Sequence, residues 1–181
     1  MRRRLAAVPY DPYHDDVHGS RGAFPTQRAG TSAGHEDSRP PGFPDVAELA
    51  DLNRAIHDDA GQPERFALDQ RAPLLGVLQE AAVAYSRDVD GVIRTASMLA
   101  FGIARSQSFR DGNRRTAYWA AHGFFEVNGL GHLMGTDDHM VARYLNQMVE
   151  AQGRGRPHDV TVEKFVDLFT RRLSDRRPRR S

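Results

Sequence analysis

Ser106-Gln107-Ser108-Phe109-Arg110-Asp111-Gly112-Asn113-Arg114-Arg115-Thr116-Ala117 is the stretch from which the rest of the chain is read. On its N-terminal side Ile93, Ala96, Ala100, Phe101 and Ala104 recur at helical spacing. On its C-terminal side Ala117, Ala120, Ala121, Phe124 and Phe125 do the same, before Asn128-Gly129 supplies a stop. The spacing predicts a tight loop delivered into the N-terminus of a second helix. The first N–H groups of such a helix lack carbonyl partners, and the helix dipole adds partial positive charge, so the position favours anions. Gly112 permits a positive φ and a close approach of ligand to backbone. Asn113 brings amide donors, and Arg114 and Arg115 bring two permanently charged forks suited to phosphate. Asp111 is the lone carboxylate among them, and a hard carboxylate beside phosphates is a ligand for Mg²⁺. The residues together predict a cradle for Mg²⁺ and the phosphates of a nucleotide.

Phe109, Asp111, Gly112, Asn113 and Arg115 also stand at matching positions of a longer signature. The stretch resembles that of the Fic/Doc (Fido) family, His-x-Phe-x-Asp/Glu-Gly-Asn followed by Lys-Arg or by Gly-Arg-x-x-Arg. Arg114 replaces the common lysine, and Thr116 and Ala117 fit the Doc-like branch. The similarity extends more loosely from about Asp45 to Leu173, through Leu52-x-x-x-Ile56-His57 and Phe124-Phe125-x-x-Asn128-Gly129. The resemblance implies a helical domain that binds a nucleotide, ATP foremost, with Mg²⁺ on Asp111. It implies phosphate contacts from Gly112, Asn113, Arg114 and Arg115, and catalytic positions at Gln107 and Arg115. It also implies a flap, here residues 62–72, that docks an extended protein target, and an antitoxin-like inhibitor as a further partner.

The chemistry of the family turns on a histidine that deprotonates a target hydroxyl, whose oxygen then takes AMP or a phosphoryl group from the Mg²⁺-bound nucleotide. That histidine is Gln107 in this chain, and the proline that follows it is Ser108. A glutamine amide accepts no proton at neutral pH. Loss of a general base costs about 10²–10⁴ in rate, while positioning and charge stabilisation carry much of phosphoryl transfer. Two readings follow: a divergent nucleotidyl- or phosphotransferase, and a catalytically silent pseudoenzyme acting as a nucleotide- or protein-binding regulator. His122 lies on a similar helix face to Arg115 but ~10 Å further along the axis, which sets it aside as a replacement base.

The 181 residues suffice for one domain with a sizeable core. No apolar run is long enough for a membrane-spanning helix, and Leu5-Ala6-Ala7-Val8 is too short for a signal-peptide core. The chain contains no cysteine, which excludes disulfide and thiolate chemistry and fits a cytoplasmic home. Residues 1–43 read as a tail too poor in apolar residues to offset its own ordering entropy. Its His14, His18 and His35 match no ligand spacing, and Ser32-x-x-x-Glu36 meets only the first part of the family's inhibitory-helix pattern. Residues 44–174 form the domain, and 175–181 a basic end. Arg171 to Ser181 carry six arginines against Asp175, with no aromatic residue to stack on bases, so nucleic acid ranks last among partners.

Asp45 and Glu48 form a capping box ahead of the stripe Val46, Leu49, Leu52 and Ile56, and His57 ends that helix in a structural role. Residues 64–72 read as a loop, and Pro73 as the first position of a helix carrying Leu74, Leu78 and Ala81. Asp88-Val89-Asp90-Gly91 reads as a turn before the central helices 92–106 and 113–128. Thr136 caps a fifth helix, with Asp137 and Asp138 in its first turn and Met140, Val141, Leu145 and Met148 on its face. Val162, Phe165, Val166, Phe169 and Leu173 mark the last. With no alternating strand, the predicted class is all-α, with about six helices.

Overall fold

The computed structural model describes residues 40–135, 138–155 and 159–175. These form six α-helices: α1 (Val46–Asp59), α2 (Arg71–Val83), α3 (Val89–Ser106), α4 (Asn113–Val127), α5 (His139–Gly153) and α6 (Val162–Asp175). Short 3₁₀ turns at Pro63–Arg65 and Gly131–Leu133 are the other helical segments. Extended pairing among the described residues is limited to one antiparallel bridge between Leu68 and Phe109. The all-α class is thus observed. The expectations for residues 1–39, Thr136, Asp137, 156–158 and 176–181 lie outside the described residues.

Helix α1 starts where its capping box predicts. Glu48 donates its N–H to Asp45 Oδ1 at 2.8 Å, and the Asp45 N–H returns to Glu48 Oε2 at 2.8 Å. This pairs two amides that a helix start otherwise leaves to water. The sequence-predicted starts of α3 and α2 need correction. Asp88-Val89-Asp90-Gly91 is not a free turn: Asp88 is the N-cap, its Oδ1 accepting the Gly91 N–H at 2.7 Å, and Val89 opens α3. That bond, with one from the Ser86 hydroxyl, holds the Asp88 carboxyl below its ordinary pKa. Helix α2 begins at Arg71, so Pro73 occupies its third position, where its missing N–H still costs no helical bond.

Helix α3 is the axis of the molecule. It packs against α2, α4, α5 and α6, while α1 lies on α4 and α2. Its closest partner is α4, and the reason is residue size. Ala96, Ala100, Ala104, Ala117 and Ala121 are all fully buried, so the two backbones approach without intervening side chains. A leucine at Ala100 would have to push them apart, at about 1–3 kcal/mol. Gly102 plays the same part toward α2, since a Cβ there would sit 2.4 Å from Val77 Cγ1. The far end of α4 closes over aromatic residues: Phe125 meets Phe169 edge-to-face at 4.8 Å, and Phe124 meets Phe43 at 6.2 Å. The core therefore reaches back to Phe43, which is buried. Asn128 anchors this entry segment by donating to the Pro41 carbonyl at 3.0 Å.

Helix α5 is capped two residues later than its sequence suggests. Asp138 is the N-cap, its Oδ1 accepting the Val141 N–H at 3.2 Å. No helix among the described residues is long and apolar enough to cross a membrane.

Candidate functional site

The loop between α3 and α4 is built by side chains folding back on their own backbone. Gln107 ends α3 in the left-handed conformation, φ 49°, which costs a non-glycine residue about 1–2 kcal/mol. Part of that is offset by its amide, which donates Nε2–H to the Ala104 carbonyl at 3.0 Å and so caps the helix. Next, Ser108 is fully buried, its hydroxyl 2.9 Å from that of Ser106. Asn113 then closes the loop as a clasp. Its Oδ1 accepts the Phe109 N–H at 3.0 Å, and its Nδ2 donates to the Phe109 carbonyl at 2.6 Å. The ring of Phe109 is buried beneath, 2% exposed.

Gly112 follows at φ 80°, the left-handed turn that aims the chain into α4. Its carbonyl accepts the Thr116 N–H at 2.9 Å, the first bond of the helical ladder. The N–H groups of Asn113, Arg114 and Arg115 therefore precede any helical acceptor. Beside them stands Asp111, half-exposed, with Oδ1 accepting the Gly112 N–H at 2.6 Å and Oδ2 3.5 Å from Arg65 Nη1. Among the described residues no group of three or more His, Cys, Asp or Glu side chains could hold a metal ion. A divalent ion here would take Asp111 as its protein ligand and the phosphates for most of the rest, the arrangement Mg²⁺ favours.

The residues expected to bind phosphate divide on inspection. Gly112 and Arg115 stand at the helix start with nothing among the described residues engaging the Arg115 guanidinium. Arg114 instead reaches α5, where its Nη1 donates to Asn146 Oδ1 at 2.5 Å. The amide of Asn113 gives its oxygen and one of its two N–H donors to the Phe109 backbone, so its side chain shapes the loop. Gln107 likewise turns its amide back onto α3.

Residues 62–72 are not a bare loop. Residues 67–70 run antiparallel along the motif loop: Arg110 N–H donates to the Ala67 carbonyl at 3.0 Å, and the Ser108 carbonyl accepts from Asp69 and Gln70 at 2.9 and 3.1 Å. Arg110 and Asp69 add a 3.4 Å ion pair, largely exposed and worth little. Of residues 62–72, only 67–70 thus lie against the motif as a short extended strip, between the 3₁₀ turn at Pro63–Arg65 and the start of α2 at Arg71.

Two residues of α1 lie at this site, one of them His57, to which the sequence assigned a structural role at the helix end. Asn53 and His57, one turn apart on α1, are both fully buried. Asn53 Nδ2 donates to the Asp111 carbonyl at 3.0 Å and to the Thr116 hydroxyl at 2.9 Å, tying the loop to the first turn of α4. Its Oδ1 and both ring nitrogens of His57 have no partner among the described residues. Such an atom costs about 1–3 kcal/mol when buried unpaired. The signal was present: two polar side chains at i, i+4 within an otherwise apolar face.

His122 is remote in environment as well as position. It is buried edge-on to Trp119 at 5.3 Å, and burial pushes its pKa down, with Glu126 opposing. A cleft of about 390 Å³ between α2, α3 and the start of α6 is lined by residues including Val77, Glu80, Phe101 and Arg105. It touches the motif stretch only at Ser106. No protein-family model, no curated protein and no solved structure matches this chain.

Proposed function

We propose that this chain binds a Mg²⁺-nucleotide at the start of α4, in the manner of Fic/Doc proteins, and transfers an AMP or phosphoryl group from it. One observation carries the reading. The Asn113 clasp and the left-handed Gly112 turn leave the first N–H groups of α4 without helical acceptors beside a half-exposed Asp111. Arg115 adds a guanidinium that no described residue engages, suited to a phosphate. Mg²⁺ held through Asp111 would neutralise phosphate charge at the reacting centre.

Gln107 constrains the acceptor. In AMP transfer a target oxygen bonds the α-phosphorus as the bond to pyrophosphate breaks; in phosphoryl transfer the γ-phosphorus is attacked and the nucleoside diphosphate leaves. A hydroxyl acceptor must also lose its proton, and an amide does not take it. An acceptor already ionised, a carboxylate or a phosphate, has no proton to lose and is the fitting nucleophile. Residues 67–70, laid along the motif loop, would then guide an extended target past it.

A second reading, a nucleotide-binding regulator without turnover, draws support from the capping role of Gln107. One of its two Nε2 hydrogens bonds the Ala104 carbonyl, which ties the side chain to the end of α3. The variant Gln107→His separates the two. It places a base of near-neutral pKa at the family's position, so labelling of itself or a target from ATP and Mg²⁺ should appear or increase, and Asp111→Ala should abolish it. Wild-type labelling that disappears in Gln107→Ala establishes the transferase. Nucleotide binding with labelling only in Gln107→His establishes the regulator. Binding without labelling in either protein ends the transferase reading.

A further inference from the structure

The buried pair on α1 has more polar capacity than the fold consumes. Asn53 uses both amide hydrogens to join Asp111 to Thr116, yet its oxygen and both nitrogens of His57 find nothing among the described residues. Both side chains press on one point. A Cβ added to Gly112 would lie 2.6 Å from Asn53 Nδ2 and 3.1 Å from His57 Nε2, so the imidazole edge faces the glycine backbone directly. An apolar ring of similar shape would fill this place and remove both unpaired ring nitrogens. Thr95 Oγ1 and His122 Nδ1 are unpaired among the described residues as well, but the His57 imidazole also stands against the turn of the motif.

We infer that His57 is a positioning residue of the nucleotide cradle, acting through the Asp111–Asn113 turn rather than by touching the ligand. This rests on the nucleotide-binding reading above. On loading with phosphate and Mg²⁺, the His57 ring donates a hydrogen bond to a carbonyl of that turn, each carbonyl having two lone pairs to offer. Together with Asn53 it then fixes the direction of the Asp111 carboxylate and of the first N–H groups of α4. The pair lies on a rigid helix, which suits it to hold a loop whose own residues bear the ligand.

The test uses the full chain as wild type, His57→Phe and His57→Gln. Thermal midpoints are measured without nucleotide, and Mg²⁺–ATP affinity by calorimetry. His57→Phe should unfold at or above the wild-type midpoint yet bind at least 10-fold more weakly, and His57→Gln, whose amide can donate, should recover part of the affinity. A purely structural histidine would instead lower the midpoint and leave the affinity of the folded protein unchanged. Should His57→Phe not fold, the ring ¹⁵N resonances of His57 in the wild type decide, assigned by their loss in His57→Gln. A shift on adding Mg²⁺–ATP supports the inference, and unchanged resonances overturn it. Equal affinity in all three proteins overturns it while the nucleotide reading stands; no binding by the wild type overturns both.

Discussion

Helix α4 touches two buried polar clusters, and they are built on opposite terms. At one, Arg172 from α6 reaches both carboxylate oxygens of Asp138 and donates to the Leu133 carbonyl at 2.8 Å. The Tyr118 hydroxyl accepts the Asp138 N–H and donates to the Gly135 carbonyl, each at 2.6 Å. Each of those contacts pairs a donor with an acceptor. At the other, under Gly112, Asn53 Oδ1 and two nitrogens of His57 stay unpaired among the described residues. A satisfied network explains itself as structure, joining α4, α5 and α6. An unsatisfied one costs stability without a structural return, and this one lies directly against the turn that shapes the start of α4.

The comparison can be broken from the structural side first. Asp138 is nearly fully buried, and removing it leaves the partly buried Arg172 without its counter-charge and α5 without its N-cap. Asp138→Ala should therefore cost about 3 kcal/mol, read as a lower urea midpoint, while the folded protein keeps its nucleotide affinity. A loss of affinity in the folded variant would mean that the two clusters are coupled. At the other cluster, Gly112→Ala puts a methyl group 2.6 Å from Asn53 Nδ2 at a φ of 80°. This should cost about 1–3 kcal/mol and, unlike Asp138→Ala, should weaken nucleotide binding as well. An affinity unchanged in Gly112→Ala would show that the turn does not shape the cradle.

The smallest effect sharpens the contrast with His122, a buried histidine outside either cluster. Its folded-state pKa lies below the ordinary value because burial disfavours the charged form. The unfolded chain then binds the proton more readily, so its contribution to stability is complete above about pH 6.5 and declines as pH falls toward the folded value. Stability measured from pH 7 downward should decline less in His122→Gln than in wild type. Parallel curves would assign the acid limb to other groups.

How much of this could be read beforehand follows from which forces act locally. Caps and periodicity are local, so Asp45 with Glu48, the apolar stripes and the loop into α4 were legible from neighbours a few residues apart. The destinations of long polar side chains are not local. The commitment of Arg114 to Asn146, thirty-two residues away, and of Asn53 to Asp111, fifty-eight away, depends on how helices pack. Asn113 was read as a donor to ligand because its type suits that role, and the backbone of Phe109 four residues back takes its oxygen and one of its two N–H donors. The strip 67–70 escaped notice for a related reason. Its partner is the motif loop, and three or four residues of pairing leave no alternation to detect.

The central claim is that the start of α4 binds a Mg²⁺-nucleotide, and calorimetry of the full chain with ATP, with and without Mg²⁺, tests it most directly. The account predicts saturable binding strengthened by Mg²⁺ and greatly weakened in Arg115→Ala. Arg114→Ala, whose guanidinium is already engaged by Asn146, should change it far less. No heat of binding at millimolar nucleotide, in the presence of Mg²⁺, would contradict the account.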